Sequence, residues 1–577
     1  MEFYTKNQVI FLTGGTGFVG KCLVEKILRS LPQVQKIYLL VRASNKTQLQ
    51  KRIQDEIFGC RLFEPLKAQF ASPEEFQDKI VSKVVAVQGD LLAKDLGLDP
   101  EDKKRVQADT QVVLSCAAEV GHFHPLRHAI NANCYGPLRI LKLAQGMPQL
   151  TSIVHVSTSY VNFHLGPQIQ ELLYPYPLCH YPSSSSASPS SSYSSSFSDP
   201  DQLLENLAAM TDDTLSTYER EVALQVFPNT YVMSKSLAEH LVQSWSRSMQ
   251  LPMVIVRPAA VTGSLAEPMP GWAEGMVGFH GIMVQTATAQ VREWVAYEQT
   301  ILDIVPVDWV CKTILMAATE AKRGVDMVPI FQSGTSAHHP ITLHQIFSNM
   351  LNYWRQAAIA ASTTNNNSSK NRKMGVSSSS SLSPMITIVD TTATSSNSTT
   401  IMATAPKKTS LANATDIQTI FYNPTDYELC FRDRITRFGR GGDSSDDGND
   451  QVDTRKTKKL LAQAYKNGRM YSPFLLNQWF MDASNAIALD NKAPPALFSG
   501  LTTRFDWEEY MHIYCRGVHQ FILKEEQIVD FATMKATWMT SMKTKYLVKE
   551  SLQQSFPKTK DETLQVAQNN LTFLARL

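Results

Sequence analysis

The chain has 577 residues with 43% hydrophobic residues, long enough to build two packed domains, and its formal net charge of +2 gives no electrostatic footprint for nucleic acid. Eight cysteines lack the spacing of a metal centre, and no signal peptide precedes them, which implies reduced thiols in an intracellular compartment and no bound metal.

The first apolar run, Val9-Ile10-Phe11-Leu12, reads as a buried strand. Thr13-Gly14-Gly15-Thr16-Gly17-Phe18-Val19-Gly20 follows it, and a helical pattern then runs from Lys21 to Leu31. Strand, glycine turn and helix N-terminus in that order make a dinucleotide pyrophosphate site. Gly14 and Gly17 allow a tight turn and close backbone approach, and Gly20 allows close packing of helix on strand. The second strand, Lys36 to Arg42, places its last residue where an acidic group ordinarily binds the NAD ribose. Arginine there suits the 2′-phosphate of NADP(H); the other reading is a solvated strand end. Lys83-Val84-Val85-Ala86-Val87 ends at Gly89-Asp90-Leu91, and Val112-Val113-Leu114-Ser115-Cys116 ends at Ala117-Ala118. In a parallel sheet these ends open on the same edge as the glycine turn. Asp90 can then reach the adenine, and Leu91 and Ala117 can line the cofactor, unless they are ordinary turn residues.

A further strand, Ser152 to Val156, ends at Ser157-Thr158, and Tyr231-Val232-Met233-Ser234-Lys235 lies within a helical stretch over 230–246. A spacing of four puts Tyr231 and Lys235 on one helix face. A free phenol titrates at roughly 10, and an adjacent ammonium brings it toward working pH, which makes tyrosine a usable general acid. Thr158 supplies a second hydrogen bond to a carbonyl oxygen that gains charge when hydride arrives. Asn133 reads either as a residue positioning this backbone or a water, or as a helix-surface residue. Cys116, Cys134 and Cys311 read as core. No nucleophile elbow is present, which argues against an acyl-enzyme route.

These motifs together resemble an extended short-chain dehydrogenase/reductase, and within that group a fatty acyl-CoA reductase. The resemblance rests on TGGTGFVG, VSTSYVN at 156–162, TYVMSKSLAEHL at 230–241 and RPAAVTGSLAEPMPGW at 257–272. It continues through Ile304-Val305-Pro306-Val307-Asp308 and Gln332-Ser333-Gly334-Thr335, then through Leu476 to Trp479, Asp506 to Tyr510, Tyr514 to Gly517 and Leu523 to Glu525. It implies a doubly wound α/β domain of Rossmann type followed by a mainly helical C-terminal domain. It also implies NADPH as cofactor and a long-chain acyl-CoA reduced through an aldehyde to a primary alcohol for ether-lipid or wax-ester synthesis. Tyr231, Lys235 and Thr158 would then be catalytic, with Tyr231 and Lys235 also holding the cofactor. A helical domain suits an apolar tunnel, since a long acyl chain has much surface to cover; read alone, the same stretch is an ordinary amphipathic bundle. A reductase of sterol or polyphenol ketones on the same scaffold, and an NADPH-binding interaction protein without turnover, are the other readings.

The expected organisation is a reductase domain over 1–345, a linker over 361–415, a helical domain over 418–527 and a tail over 528–577. The serine-rich stretch 182–198, the linker and the stretch Gly439 to Arg455 have too little apolar content to offset ordering entropy and read as disordered excursions. No run of about 18 apolar residues suits a membrane span, which leaves peripheral membrane contact. The final Leu574-Ala575-Arg576-Leu577 resembles a peroxisomal address, with the cytosol or the cytosolic face of the endoplasmic reticulum as the alternative. The oligomeric state is left open.

Overall fold

The computed structural model describes residues 2–4, 8–179 and 199–368 apart from Phe123 and Arg292, short segments at 386–388 and 419–422, and most of 468–524. The serine-rich stretch at 182–198, the stretch from Gly439 to Arg455 and the C-terminal Ala575-Arg576-Leu577 lie outside the described residues.

Seven parallel strands form the central sheet: β1 (Gln8–Thr13), β2 (Val34–Val41), β3 (Val84–Gln88), β4 (Val112–Ser115), β5 (Ser152–Val156), β6 (Met253–Pro258) and β7 (Ile330–Ser333). Their order is β7-β6-β5-β4-β1-β2-β3, so the winding reverses between β1 and β4, the place where doubly wound sheets bind ligands. The strands are apolar on both faces because helices cover both. Residues alternate accordingly along β1: Ile10 and Leu12 pack with α1 (Phe18–Ser30), and Phe11 packs on the opposite face with α2 (Gly136–Gln145) and α3 (Thr230–Ser248). Helix α4 (Val307–Ala317) joins α1 on the first face through Val310 and Ile314.

A third core holds Trp294, Phe347, Trp354, Tyr510 and Tyr514, where α5 (Leu343–Ser368) packs on α6 (Trp507–Gly517). This C-terminal unit is built onto the sheet domain. Phe480–Met481 pairs with Gln168–Ile169, and the Tyr510 hydroxyl donates to the Gly263 carbonyl at 2.6 Å. The turn Pro270-Gly271-Trp272 meets α6 backbone to backbone. Gly271 has φ +78°, and a Cβ on Gly517 would lie 1.6 Å from the Gly271 carbonyl oxygen.

The stretch over 361–415 differs in part from a structureless linker. Helix α5 continues to Ser368, and Ile386–Ile388 pairs with Thr419–Tyr422, which pairs in turn with Glu293–Val295. Phe421 holds Thr419–Tyr422 in place, buried in the third core with its ring 5.0 Å from that of Phe347.

The Gly271–Gly517 crossing leaves no room for a methyl group. Gly517→Ala is expected to destabilise the protein by about 1–3 kcal/mol, seen as a lower thermal unfolding midpoint; an unchanged midpoint would contradict the packing.

Candidate active site

The glycine turn forms a cradle at the sheet edge. Gly14 has φ +76°, and a Cβ there would lie 2.8 Å from the Ala117 backbone nitrogen; a Cβ on Gly20 would lie 2.1 Å from the Gly14 carbonyl oxygen. Gly17 caps α1 and donates its N–H to Gly14 O at 2.9 Å, so the free N–H groups of the first helical turn face the turn's concavity. Thr13 Oγ1 accepts from the Ala117 N–H at 3.2 Å and joins the ends of β1 and β4. A cavity of about 710 Å³ opens from this cradle. It brings together every residue expected at the site except Gly15, which faces Leu39 on β2 instead. Narrow backbone spacing and a helix N-terminus fit a pyrophosphate, and a bulkier turn would fill the space it needs.

Arg42 is exposed at the end of β2 and lines the cavity. Arg52, which no sequence motif singles out, lines it too. Its guanidinium donates to the Arg42 carbonyl at 2.7 Å and pairs with Glu56 at 2.6 Å. Asp90 sits in a side-chain-closed turn, accepting from the Leu92 N–H at 3.0 Å, and Leu91 packs beneath Gly136.

Helix α3 carries the chemistry-bearing pair. Asn229 caps it by accepting from the Val232 N–H at 2.9 Å, and Tyr231 follows in the first turn. The phenol borders the cavity but is withdrawn from bulk water. Burial pushes its pKa up to about 12, against which hydrogen bonding with the Thr158 hydroxyl acts. Lys235, one turn further along the same face, has its own partners. Its ammonium donates to the Val156 carbonyl at 2.6 Å and lies 3.5 Å from His155 Nε2, because the side chain runs under the end of β5. Burial brings Lys235 down to about 8, with Glu239 opposing.

Two further contacts set the helix in place. Glu239 meets Arg257 of β6 at 2.6 Å, with both side chains almost wholly buried, and Arg257 also donates to the Leu172 carbonyl at 2.9 Å. Asn133 positions backbone: its Oδ1 accepts from Glu119 N–H at 2.8 Å, and its Nδ2 donates to Glu119 O at 2.9 Å and to Ser234 Oγ at 3.0 Å.

Beyond Tyr231 the wall turns apolar. His122 stacks on Tyr231 with centroids 6.2 Å apart and also faces Tyr471 and Phe474 from the C-terminal segment. Burial lowers its pKa. His122 Nδ1 and Ser157 Oγ are buried without a hydrogen-bond partner among the described residues, and both residues line the cavity. Cys116 packs against the core and also borders the cavity, whereas Cys134 and Cys311 are wholly buried; burial pushes the Cys116 thiol up to about 12. Among the described residues, no helix is long and apolar enough to cross a membrane.

A glycine cradle at the switch point, facing a tyrosine and lysine on one helix, defines a nicotinamide-dependent oxidoreductase of the extended short-chain dehydrogenase/reductase class. The male sterility protein pattern, an NAD-binding family, matches residues 12–314. The chain belongs to this family, and within it to the fatty acyl-CoA reductases. It is 30% identical to the probable fatty acyl-CoA reductase 5 of Arabidopsis thaliana, over 61% of this chain and 71% of that protein. It is 34% identical to fatty acyl-CoA reductase 1 of Xenopus laevis and 30% identical to fatty acyl-CoA reductase 2 of Homo sapiens. Those two matches span 55% and 54% of this chain and the same shares of the relatives, so the chain matches little more than half of their length. In fold it is similar to the terminal R domain of the myxalamid biosynthetic pathway, with a TM-score of 0.52 and 16% identity over 90% of this chain and 93% of that one.

The Arg257–Glu239 pair sits where water cannot replace either partner. Glu239→Gln is expected to cost about 3–5 kcal/mol of stability, read from urea unfolding, because an uncompensated guanidinium stays buried. A loss below about 1 kcal/mol would show that the pair does not anchor α3.

Proposed function

We propose that this protein reduces long-chain acyl-CoA to a primary alcohol in two steps, with NADPH as the reductant. The observation that carries the reading is the continuity of one cavity. Its wall passes from the glycine cradle through Thr158 and Tyr231 to Phe474 and Leu475 of the C-terminal segment, so polar chemistry and an apolar chain share one space. Val277, on the cavity wall and 56% exposed, gives that space an apolar margin.

Bound in the cradle, the nicotinamide supplies hydride. Thr158 and Tyr231 offer two hydroxyls to one carbonyl oxygen, and both hydrogen bonds strengthen as that oxygen gains charge. With its pKa pushed up to about 12 by burial, Tyr231 keeps its proton at neutral pH and acts as donor. Lys235 is cationic below about pH 8 and holds α3 to β5 through Val156, which places positive charge behind the site. Collapse of the tetrahedral thioester adduct expels CoA and leaves an aldehyde. Its carbonyl returns to the same two hydroxyls, and Tyr231 supplies the proton that completes the alcohol.

Two basic groups at the ribose end, Arg42 and Arg52, support NADPH over NADH. Replacing both with alanine is expected to weaken NADPH binding by about tenfold or more and leave NADH binding within about twofold, measured by fluorescence titration. Equal losses for both cofactors would contradict the assignment.

The direct test is NADPH oxidation with palmitoyl-CoA and product identification by mass spectrometry. Hexadecanol is expected, and Tyr231→Phe should lower turnover by about 10²–10⁴-fold while still binding NADPH. Free aldehyde as sole product would limit the reaction to one reduction. Absence of CoA release across a range of chain lengths would overturn the acyl-CoA reading.

A further inference from the structure

The loop that leaves β4 contains a cluster the proposed chemistry does not use. Glu119 Oε1 lies 3.3 Å from His124 Nε2, and Glu119 Oε2 lies 3.2 Å from His128 Nε2. The two imidazole rings are 4.9 Å apart, and one donor atom from each of the three residues can be chosen so that all lie within 4.8 Å of one another. Glu119 and His128 border the cavity, while the His124 side chain is half-exposed. An ion bonded at about 2.0–2.2 Å to each ligand tolerates ligand separations up to roughly 4.2 Å, so the carboxylate distances already fit and the imidazoles need close only slightly.

We propose that Glu119, His124 and His128 form a binding site for a divalent transition-metal ion of the zinc class at the cavity mouth. Two imidazoles and one carboxylate suit a borderline ion better than magnesium or calcium, which prefer all-oxygen shells. Three protein ligands leave the remaining position to water. Binding replaces hydrogen bonds with metal bonds. In the free cluster each Nε2 faces a carboxylate oxygen, and the ion takes up the imidazole lone pairs as those ring protons shift to Nδ1 or leave.

The site also has somewhere to act. Thr230 Oγ1 donates to the His124 carbonyl at 2.8 Å, and Asn133 ties the Glu119 backbone to Ser234. Thr230 and Ser234 flank Tyr231 on α3. An ion joining residues 119, 124 and 128 therefore closes the loop into a clamp held at both ends by the helix that carries the phenol. Sequence spacing carries no metal signature because the first ligand lies in the loop four residues past β4 and the other two straddle the start of the short helix Leu126–Ile130.

The test is a Co²⁺ titration of the chelator-treated full-length protein, followed by visible absorption. Ligand-field bands saturating at one ion per chain are expected, with His124→Ala and His128→Ala each weakening binding by at least about tenfold. His344→Ala, at a half-exposed histidine paired with Glu298 at 3.0 Å, should bind as the unaltered protein does. Added Zn²⁺ should raise the thermal midpoint of the unaltered chain and of His344→Ala only. No saturable band, bands of thiolate character, or binding by either loop variant as tight as by the unaltered protein would overturn the proposal.

Discussion

The site depends on a buried ion pair that fixes one helix across the sheet. Arg257 at the end of β6 and Glu239 on α3 are 2.6 Å apart with essentially no exposure, so neither can leave without stranding the other's charge in a dry interior. That cost makes the position of α3 discrete. One turn earlier on the same helix, Lys235 meets the Val156 carbonyl of β5, and one turn before that Tyr231 reaches the cavity. Ser234, between them, is bound by Asn133. Three elements of the sheet domain thus determine where the phenol sits, and none of these contacts involves a flexible surface chain.

The cofactor cradle obeys a different constraint, which is steric. Gly14 and Gly20 bring β1, the end of β4 and α1 closer than any side chain allows, and the helix N-terminus supplies donors where an anion would lie. The C-terminal unit repeats this device at Gly271 and Gly517, which seat α6 against the sheet domain. One close approach shapes the polar end of the cavity, and the other fixes the unit whose Tyr471, Phe474 and Leu475 line the apolar end.

Much of this was legible in the sequence because it is local. The glycine turn, the strand ends at Arg42, Asp90 and Ala117, and the Tyr231–Lys235 spacing each depend on neighbours a few residues away, and all of them line one cavity. What escaped depends on contacts between distant positions. Arg52 reaches the ribose end only because the helix after β2 folds back over it. His122 comes to lie between Tyr231 and Phe474 through packing of a segment more than 240 residues downstream. The spacing puts Lys235 and Tyr231 on one helix face but does not show where the ammonium goes: it donates to the Val156 carbonyl at the end of β5, a contact between distant positions. Cys116, read as core from the apolar run that contains it, borders the cavity because it follows the last residue of β4, where the chain opens into the switch-point crevice.

The central claim is that cradle, phenol and apolar wall serve two successive reductions of one acyl group within one cavity. The most direct measurement uses NADPH deuterated at its transferable position, with a long-chain acyl-CoA and mass analysis of the alcohol. Two deuterium atoms on the hydroxyl-bearing carbon are expected, one from each reduction. An alcohol carrying one or none would contradict the account, since at least one hydride would then come from outside this site.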